Sequence, residues 1–171
     1  MRFIKLAIIS FIILFLLFTA ISLLIPSHIR ISKATNVHAA ADNVYKEISE
    51  INNWRKWHPA FKDIPENEFQ FLNDSIFRVK ENDMKIIKKT KDGVTAEFRK
   101  GNGKKVMSGI KMILYPQTDS LTVQWYMDFR LHWYPWEKFS SLFYENLYGV
   151  QMEQGLSNLK KLLEDDRSSL K

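Results

Sequence analysis

The chain begins with a long apolar run. Leu6 to Ile25 carries no charged residue and follows a short basic head containing Arg2 and Lys5. A helix of this length extends about 30 Å, which is the thickness of a bilayer's hydrocarbon core. The run predicts a transmembrane helix at residues 6–25, and residues 1–27 are expected to form the basic head and the span.

Two other interpretations, a cleaved signal peptide and a soluble core helix, fit this run less well. A signal peptide has an apolar region of about 7–15 residues and a cleavage site with small residues. This run is longer, and Phe18–Ser22 fits such a site poorly. A soluble core helix would show a polar stripe, which Ser10, Thr19 and Ser22 do not form. A retained single-pass anchor is therefore preferred over cleavage.

The charges that flank the span constrain its orientation weakly. Arg2 and Lys5 precede it and Arg30 and Lys33 follow it, so the positive-inside rule gives nearly a tie. A short basic head before an N-terminal anchor favours an extracytoplasmic soluble domain. The absence of cysteine permits an oxidising compartment without demonstrating one.

The chain beyond the anchor is moderately basic. Removing Arg2 and Lys5 from 25 basic residues leaves 23 against 19 acidic residues, a net charge of +4. Most of the excess lies between Arg78 and Lys105, which indicates either solvated strand edges or attraction to anionic lipid headgroups. These basic residues lack interleaved aromatic residues, so nucleic-acid binding is not expected.

Hydrophobic periodicity divides the remaining chain into strands and helices. An extended segment at residues 28–37 precedes short helices between Asp42 and Pro59. From Glu68 to Leu131, β-favouring residues and turn residues predict about six strands joined as hairpins. The expected turns are Asn73-Asp74, Glu81-Asn82-Asp83, Lys91-Asp92-Gly93, Gly101-Asn102-Gly103 and Pro116-Gln117-Thr118-Asp119.

A helical region after Pro135 closes the chain, with a kink or break expected at Gly149. This order predicts an α+β domain over residues 28–165, in which a long C-terminal helix lies across the concave face of a curved antiparallel sheet. Residues 166–171 are expected to form a loose tail. Two apolar sets have helical spacing: Phe139, Leu142, Phe143 and Leu147, then Met152, Leu156, Leu159 and Leu163.

Three segments carry a resemblance to a known superfamily. They are Val37–Tyr45, where a strand runs into a helix; Trp54–Pro59, a tryptophan pair followed by proline; and Gly155–Leu162 in the closing helix. They resemble the helix-grip (SRPBCC) superfamily, which includes Bet v 1-like, START-like and polyketide cyclase-like domains. Ala40 stands where members usually have proline, and most members lack a membrane span. The resemblance implies a cavity between sheet and long helix that holds a hydrophobic small molecule.

The residues expected to face this cavity are rich in Trp, Phe and Met. Large aromatic residues and adaptable methionines suit a pocket, but the same residues are typical of a filled core. The candidate ligand-binding residues are Trp57, Phe61, Met112, Trp125, Met127, Phe129, Phe143 and Leu147.

An aromatic loop, His132–Trp136, lies between the last strand and the helical region. Trp and Tyr favour membrane interfaces, so Trp133 and Trp136 are candidate membrane-interface residues. A lid packed on the domain itself is the alternative.

No catalytic or metal-binding constellation is recognisable in the sequence. The absence of cysteine excludes thiolate catalysis and cysteine-based zinc sites, and the four histidines are dispersed. A Gly-x-Ser-x-Gly elbow is absent, and Gly101–Lys105 lacks the spacing of a phosphate loop. We therefore predict no catalytic residue, no metal site and no cofactor.

Taken together, these patterns favour a membrane-anchored helix-grip domain that binds a hydrophobic small molecule or lipid. Two alternatives remain open. One is a cyclase-like or hydrolase-like enzyme of the same superfamily, and the other is a membrane-tethered interaction or regulatory subunit with a filled core. The sequence indicates no particular protein partner.

Overall fold

An apolar helix precedes an α+β domain. The structure is a computed structural model that describes residues 2–61, 64–65, 68–73, 75–79, 82–101, 103–116 and 120–168. The elements are α1 (Arg2–Ser22), β1 (His28–Val37), α2 (Ala41–Ser49), a 3₁₀ turn (Ile51–Asn53), α3 (Trp54–Trp57), a 3₁₀ turn (Pro59–Phe61), β2 (Phe69–Asn73), β3 (Ile76–Val79), β4 (Asn82–Thr90), β5 (Gly93–Lys100), β6 (Lys105–Leu114), β7 (Leu121–Arg130), α4 (Pro135–Ser140), a 3₁₀ turn (Ser141–Phe143), a π-helical turn (Glu145–Gly149) and α5 (Val150–Ser168).

Helix α1 is long and apolar enough to cross a membrane, and its apolar side chains point away from the rest of the protein. A signal sequence near the N-terminus has the same properties. The helix meets the domain at its C-terminal end, where Ser22 is fully buried and the Phe18 ring meets the edge of Phe139 at a centroid distance of 5.7 Å.

The described strands form one antiparallel sheet in the order β1-β7-β6-β5-β4-β3-β2. Strand β1 lies at one edge of the sheet and pairs with β7. The register runs from His28 opposite Arg130 to Val37 opposite Leu121. The long C-terminal helix α5 packs across β1 and β7. The predicted α+β class, with a helix-grip arrangement and an N-terminal apolar helix, is confirmed.

The turns at Lys91-Asp92 and at Gly101 lie where the turn residues predicted them, whereas Asn73 belongs to β2 and Asn82 and Asp83 belong to β4. Lys91 and Asp92 join β4 to β5, and Gly101 adopts a φ of 51°, a left-handed conformation that glycine accepts without strain. Other residues of the predicted turns lie outside the described residues: Asp74, Glu81, Asn102 and the segment 117–119.

Helix α5 buries one stripe against the sheet, as its periodicity predicts. Met152, Leu156, Leu159 and Leu163 are all buried. The helix continues to Ser168, so the predicted loose tail is wrong for residues 166–168. Each further helical residue adds one backbone hydrogen bond, which outweighs the unfavourable acidic residues. Residues 169–171 lie outside the described part of the chain.

Candidate functional site

The space between sheet and helices has two ends that differ in packing. We call the end where β1 begins and β7 ends the near end, because it lies beside α1. The opposite end, where β1 ends at Val37 and β7 begins at Leu121, is the far end. Val37 and Leu121 are both buried.

The middle of this space is filled by an aromatic cluster. The rings of Trp57 and Trp125 meet edge to face at 5.9 Å, and His58 lies 4.8 Å from Trp125. Phe61 stacks on His58 at 4.7 Å and meets Phe77 at 4.8 Å. Three predicted ligand-binding residues, Trp57, Phe61 and Trp125, therefore belong to one cluster that is centred on His58.

The indole groups of the cluster have protein hydrogen-bond partners. Trp125 donates to the Ser108 hydroxyl at 2.8 Å, and Trp57 donates to the carbonyl of Glu47 at 3.3 Å. Buried indole nitrogens usually need such a partner. Asn158 on α5 donates to the carbonyl of Trp57 at 3.2 Å, which ties α3 to α5.

His58 is a buried histidine within this cluster. Its ring stacks on Trp54, and its Nδ1 accepts a hydrogen bond from the backbone N–H of Ala60 at 3.2 Å. Burial lowers the pKa of His58 to about 3, because charging the imidazole there would require desolvating a cation. A base of such low pKa is poorly matched to proton transfer near neutral pH, so His58 acts as a packing residue.

The near end is lined by apolar and phenolic side chains, most of which are half-buried. Phe129 on β7 lies 4.8 Å from both Tyr144 and Tyr148, whose rings meet edge to face at 5.5 Å. Burial raises the pKa of the Tyr148 hydroxyl, with a further contribution from Tyr144. We call this group the near-end cluster; it comprises Phe129, Tyr144 and Tyr148 with the half-buried Phe98, Val106 and Met127.

A salt bridge fixes the π-helical turn above this cluster. The Lys33 ammonium on β1 lies 2.6 Å from Glu145 and 2.7 Å from Glu153. The hydrogen bonds that the Lys33 ammonium donates to these carboxylates raise the pKa of Lys33, so the lysine keeps its charge. The bridge joins β1 to the π turn and to α5, which places Tyr148 over Phe129.

Two predicted ligand-binding residues do not face the sheet. Phe143 is 68% exposed and Leu147 is 55% exposed. The prediction rests on regular α-helical spacing from Phe139 to Leu147, whereas a 3₁₀ turn and a π-helical turn change the angle between successive side chains here. Tyr144 and Tyr148 face the sheet instead. Steps of four residues back from Met152 reach both tyrosines, while steps of four on from Phe139 reach Phe143 and Leu147, so the sequence contains a signal for either pair.

The remaining predicted lining residues are separated along the sheet. Met127 is half-buried at the near end, whereas Met112 is buried beneath an open groove of about 630 Å³ at the far end. That groove includes Lys89 and Lys91 and opens to solvent. The structure therefore brings Met127 and Phe129 together but does not place Met112 with them.

The aromatic loop is exposed. Trp133 and Trp136 keep 59% and 64% of their surface, and Tyr134 stacks on Trp136 at 5.0 Å. Within the described residues, no group of three or more His, Asp or Glu side chains is placed to hold a metal ion.

Comparison with known proteins identifies the fold. No protein family model and no curated protein sequence matches the chain. Solved structures do match, including a START superfamily protein from Mycobacterium smegmatis with a TM-score of 0.56 and 18% identity, covering 80% of this chain and 97% of that chain. A truncated norcoclaurine synthase from Thalictrum flavum matches with a TM-score of 0.58 and 12% identity, covering 79% and 92%.

The protein XoxI from Bacillus cereus matches in the same way, with a TM-score of 0.57 and 12% identity over 81% of this chain and 97% of that chain. These matches each cover about four fifths of this chain. The resemblance to START-like and Bet v 1-like proteins is confirmed for the fold, and this chain has the helix-grip fold.

Proposed function

We propose that this protein is a membrane-anchored helix-grip domain that binds an apolar small molecule or a lipid at the near end of the space between sheet and helix. The observation that carries this proposal is the contrast between the two regions of that space. The middle is closed by Trp57, His58 and Trp125, whereas Met127, Tyr144 and Tyr148 remain half-buried.

The chemistry of the near-end cluster supports an apolar ligand. Phenylalanine, methionine and tyrosine side chains supply apolar contact area, and the tyrosine hydroxyls can orient one polar group of a ligand. Methionine adapts to irregular shapes, which suits a ligand that is not rigid. The position beside α1 supports a lipidic source, because a ligand leaving a bilayer at the base of the anchor reaches this end first.

The proposal can be tested by native mass spectrometry of the full chain purified in detergent. Met127→Trp fills the near end, and Ile113→Trp adds the same side chain on the outer face of β6, where Ile113 is 42% exposed. We expect wild type and I113W to retain an apolar species that M127W loses. Lipid bound around α1 remains the same in all three. Equal retention by all three proteins, with M127W folded by circular dichroism, would contradict the proposal.

A second candidate function is a membrane-tethered interaction subunit without a ligand. The filled aromatic middle favours it, because Trp57, Phe61 and Trp125, the candidate lining residues, are buried in one cluster around His58. In the same experiment, wild type without any retained species beyond the lipid around α1 would favour this candidate.

A further inference from the structure

The segment from the aromatic loop to the start of α5 exposes an apolar surface. We call it the outer ridge. Each member keeps between 55% and 68% of its surface, which is unusual for a row of large apolar side chains. The outer ridge consists of Trp133, Trp136, Leu142, Phe143, Leu147 and Val150.

The same segment is apolar on its opposite face as well. Tyr144 and Tyr148 contact Phe129 of the sheet, while the neighbouring Phe143 and Leu147 point outward. A helical segment that is apolar on both faces is stable when both faces are covered by apolar surroundings. The sheet covers the inner face, so the outer ridge requires an apolar partner.

The contact between α4 and α1 points to the apolar layer of the bilayer as this partner. Phe139 on α4 meets Phe18, which lies four residues before the helix ends at Ser22. At a rise of 1.5 Å per residue, Phe18 is about 6 Å below the end of the helix. If α1 crosses the bilayer, the ring of Phe139 lies within or against the apolar layer, and Leu142 of the outer ridge follows it by three residues in the chain.

A buried lysine holds the two elements in this arrangement. Lys138 is 3% exposed, and its ammonium donates to the carbonyl of Ile25 at 2.6 Å and to the hydroxyl of Ser27 at 2.7 Å. These bonds satisfy polar groups where the chain leaves α1, and the positive charge is favourable at a helix C-terminus. α4 is therefore attached to the exit of α1 rather than connected to it through a free linker.

We propose that the outer ridge is a second membrane-docking surface that lies in the lipid interface beside α1. This inference rests on the membrane anchorage contained in the proposed function. Trp133 and Trp136 lie at headgroup level, where aromatic side chains are favoured, and Phe143 and Leu147 enter the acyl boundary. Tyr144 and Tyr148 of the near-end cluster belong to the same segment as this surface, so docking places the near end of the domain against the lipid.

The test uses single spin labels on the full chain in phosphatidylcholine–phosphatidylglycerol vesicles. The chain has no cysteine, so each introduced cysteine is labelled uniquely. Phe143→Cys and Leu147→Cys report on the outer ridge, Leu14→Cys reports on the anchor, and Lys161→Cys on an exposed face of α5 is the aqueous control. Collisions with oxygen, which concentrates in lipid, and with a water-soluble nickel chelate give the depth of each label.

We expect the labels at 143 and 147 to be accessible to oxygen and protected from nickel, as at 14, with the opposite result at 161. If the labels at 143 and 147 are exposed to water while the label at 14 is embedded in lipid, the proposed docking surface is wrong and the anchorage still holds. An aqueous label at 14 would overturn both. Labels shielded from both reagents, with spin–spin broadening between protomers, would assign the outer ridge to a second copy of the chain and overturn lipid docking.

A second measurement needs no label. Trp54, Trp57 and Trp125 are buried, whereas Trp133 and Trp136 are exposed. Lipids brominated near the headgroup should quench the fluorescence of the wild-type protein, and the double variant W133F/W136F should lose that quenching. Quenching that is absent in wild type, or equal in both proteins, would contradict the position of the aromatic loop.

Discussion

Gly155 lies at the closest approach of α5 to the aromatic middle of the domain. A Cβ atom added there would lie 2.7 Å from Cζ3 of Trp125 and 2.9 Å from Cδ of Pro59, closer than carbon atoms can pack. At Gly149, an added Cβ would meet the flexible ends of Lys33 and Glu145 at 3.0 and 3.1 Å. The side chains around Gly149 can therefore move to accommodate a methyl group more easily than the rings around Gly155.

We predict that Gly155→Ala destabilises the protein whereas Gly149→Ala changes stability less. Overpacking costs about 1–3 kcal/mol, and two rigid rings within 3.0 Å place Gly155 toward the upper end of that range, above the gain of about 1 kcal/mol from replacing glycine by alanine in a helix. Thermal unfolding of both variants measures the difference. Equal or greater stability of G155A relative to wild type would show that Trp125 can move away without cost.

His58 makes stability depend on pH. Its pKa is about 3 in the folded protein and 6.5 in an unfolded chain, so between these values the unfolded state binds more protons. The free energy of unfolding should therefore fall as the pH drops below 6.5, by up to about 1.4 kcal/mol per pH unit from this residue. Arg78 and Arg99 lower the pKa of Asp83 to about 2, so that carboxylate acts mainly below pH 4.

Urea unfolding between pH 7.5 and 4.5 isolates this contribution. The slope of stability against pH should be smaller in His58→Phe than in wild type. The imidazole of His58 should not titrate in this range by NMR. A normal titration near pH 6.5 would show that the ring is hydrated rather than packed against Trp125.

At the scale of elements, the π-helical turn decides which side chains reach the sheet. Within Glu145–Gly149, Tyr148 contacts Phe129 and its neighbour Leu147 points outward. The salt bridge from Lys33 to Glu145 holds the turn against β1. Tyr148 therefore packs against the sheet, whereas the adjacent Leu147 lies on the exposed surface.

We predict that Tyr148→Ala destabilises the domain by about 2–3 kcal/mol, because it removes a ring packed on Phe129. Leu147→Ala should stay within about 0.5 kcal/mol of wild type, as expected for an exposed side chain. Thermal unfolding of the full chain in detergent compares them directly. A larger loss of stability for L147A than for Y148A would mean that Leu147, rather than Tyr148, packs against the sheet.

At the scale of the whole molecule, side-chain contacts as well as the chain itself connect the apolar helix to the domain. Helix α1 joins β1 through a short segment at 23–27, and Lys138 closes that segment from the side of α4. If α1 is retained, the domain cannot move far from the bilayer surface. The near-end cluster and the outer ridge then share one side of the molecule.

We predict that the mature protein retains α1 and remains in the membrane fraction after alkaline carbonate washing, with the mass of the unprocessed chain. A membrane-impermeant maleimide should label Lys161→Cys in intact cells or spheroplasts, as expected for an extracytoplasmic domain. Release of a shorter chain into the soluble fraction would contradict the anchor. Labelling only after lysis would place the domain on the cytoplasmic side.

Local patterns in the sequence were sufficient for most of the architecture. Alternation of apolar and polar residues identified β7, and the four-residue steps from Met152 to Leu163 identified the buried stripe of α5. Each of these elements has one face against the core and one face against solvent, so its apolar residues recur with the period of a strand or a helix. That recurrence is visible in a single sequence. The apolar helix was equally clear, because its length and composition need no tertiary context.

The orientation of residues 139–149 was decided only by tertiary packing. Phe143 with Leu147 and Tyr144 with Tyr148 have the same spacing, so periodicity alone allows either pair to face the sheet. Phe129 and the salt bridge from Lys33 select the tyrosines, and both partners come from distant parts of the chain. Likewise, Trp57 and Trp125 fill the middle because α3 and β7 meet there in space. The sequence by itself determined the elements and their buried stripes, whereas tertiary packing determined which part of the interior is filled, because that depends on contacts between residues far apart in the chain.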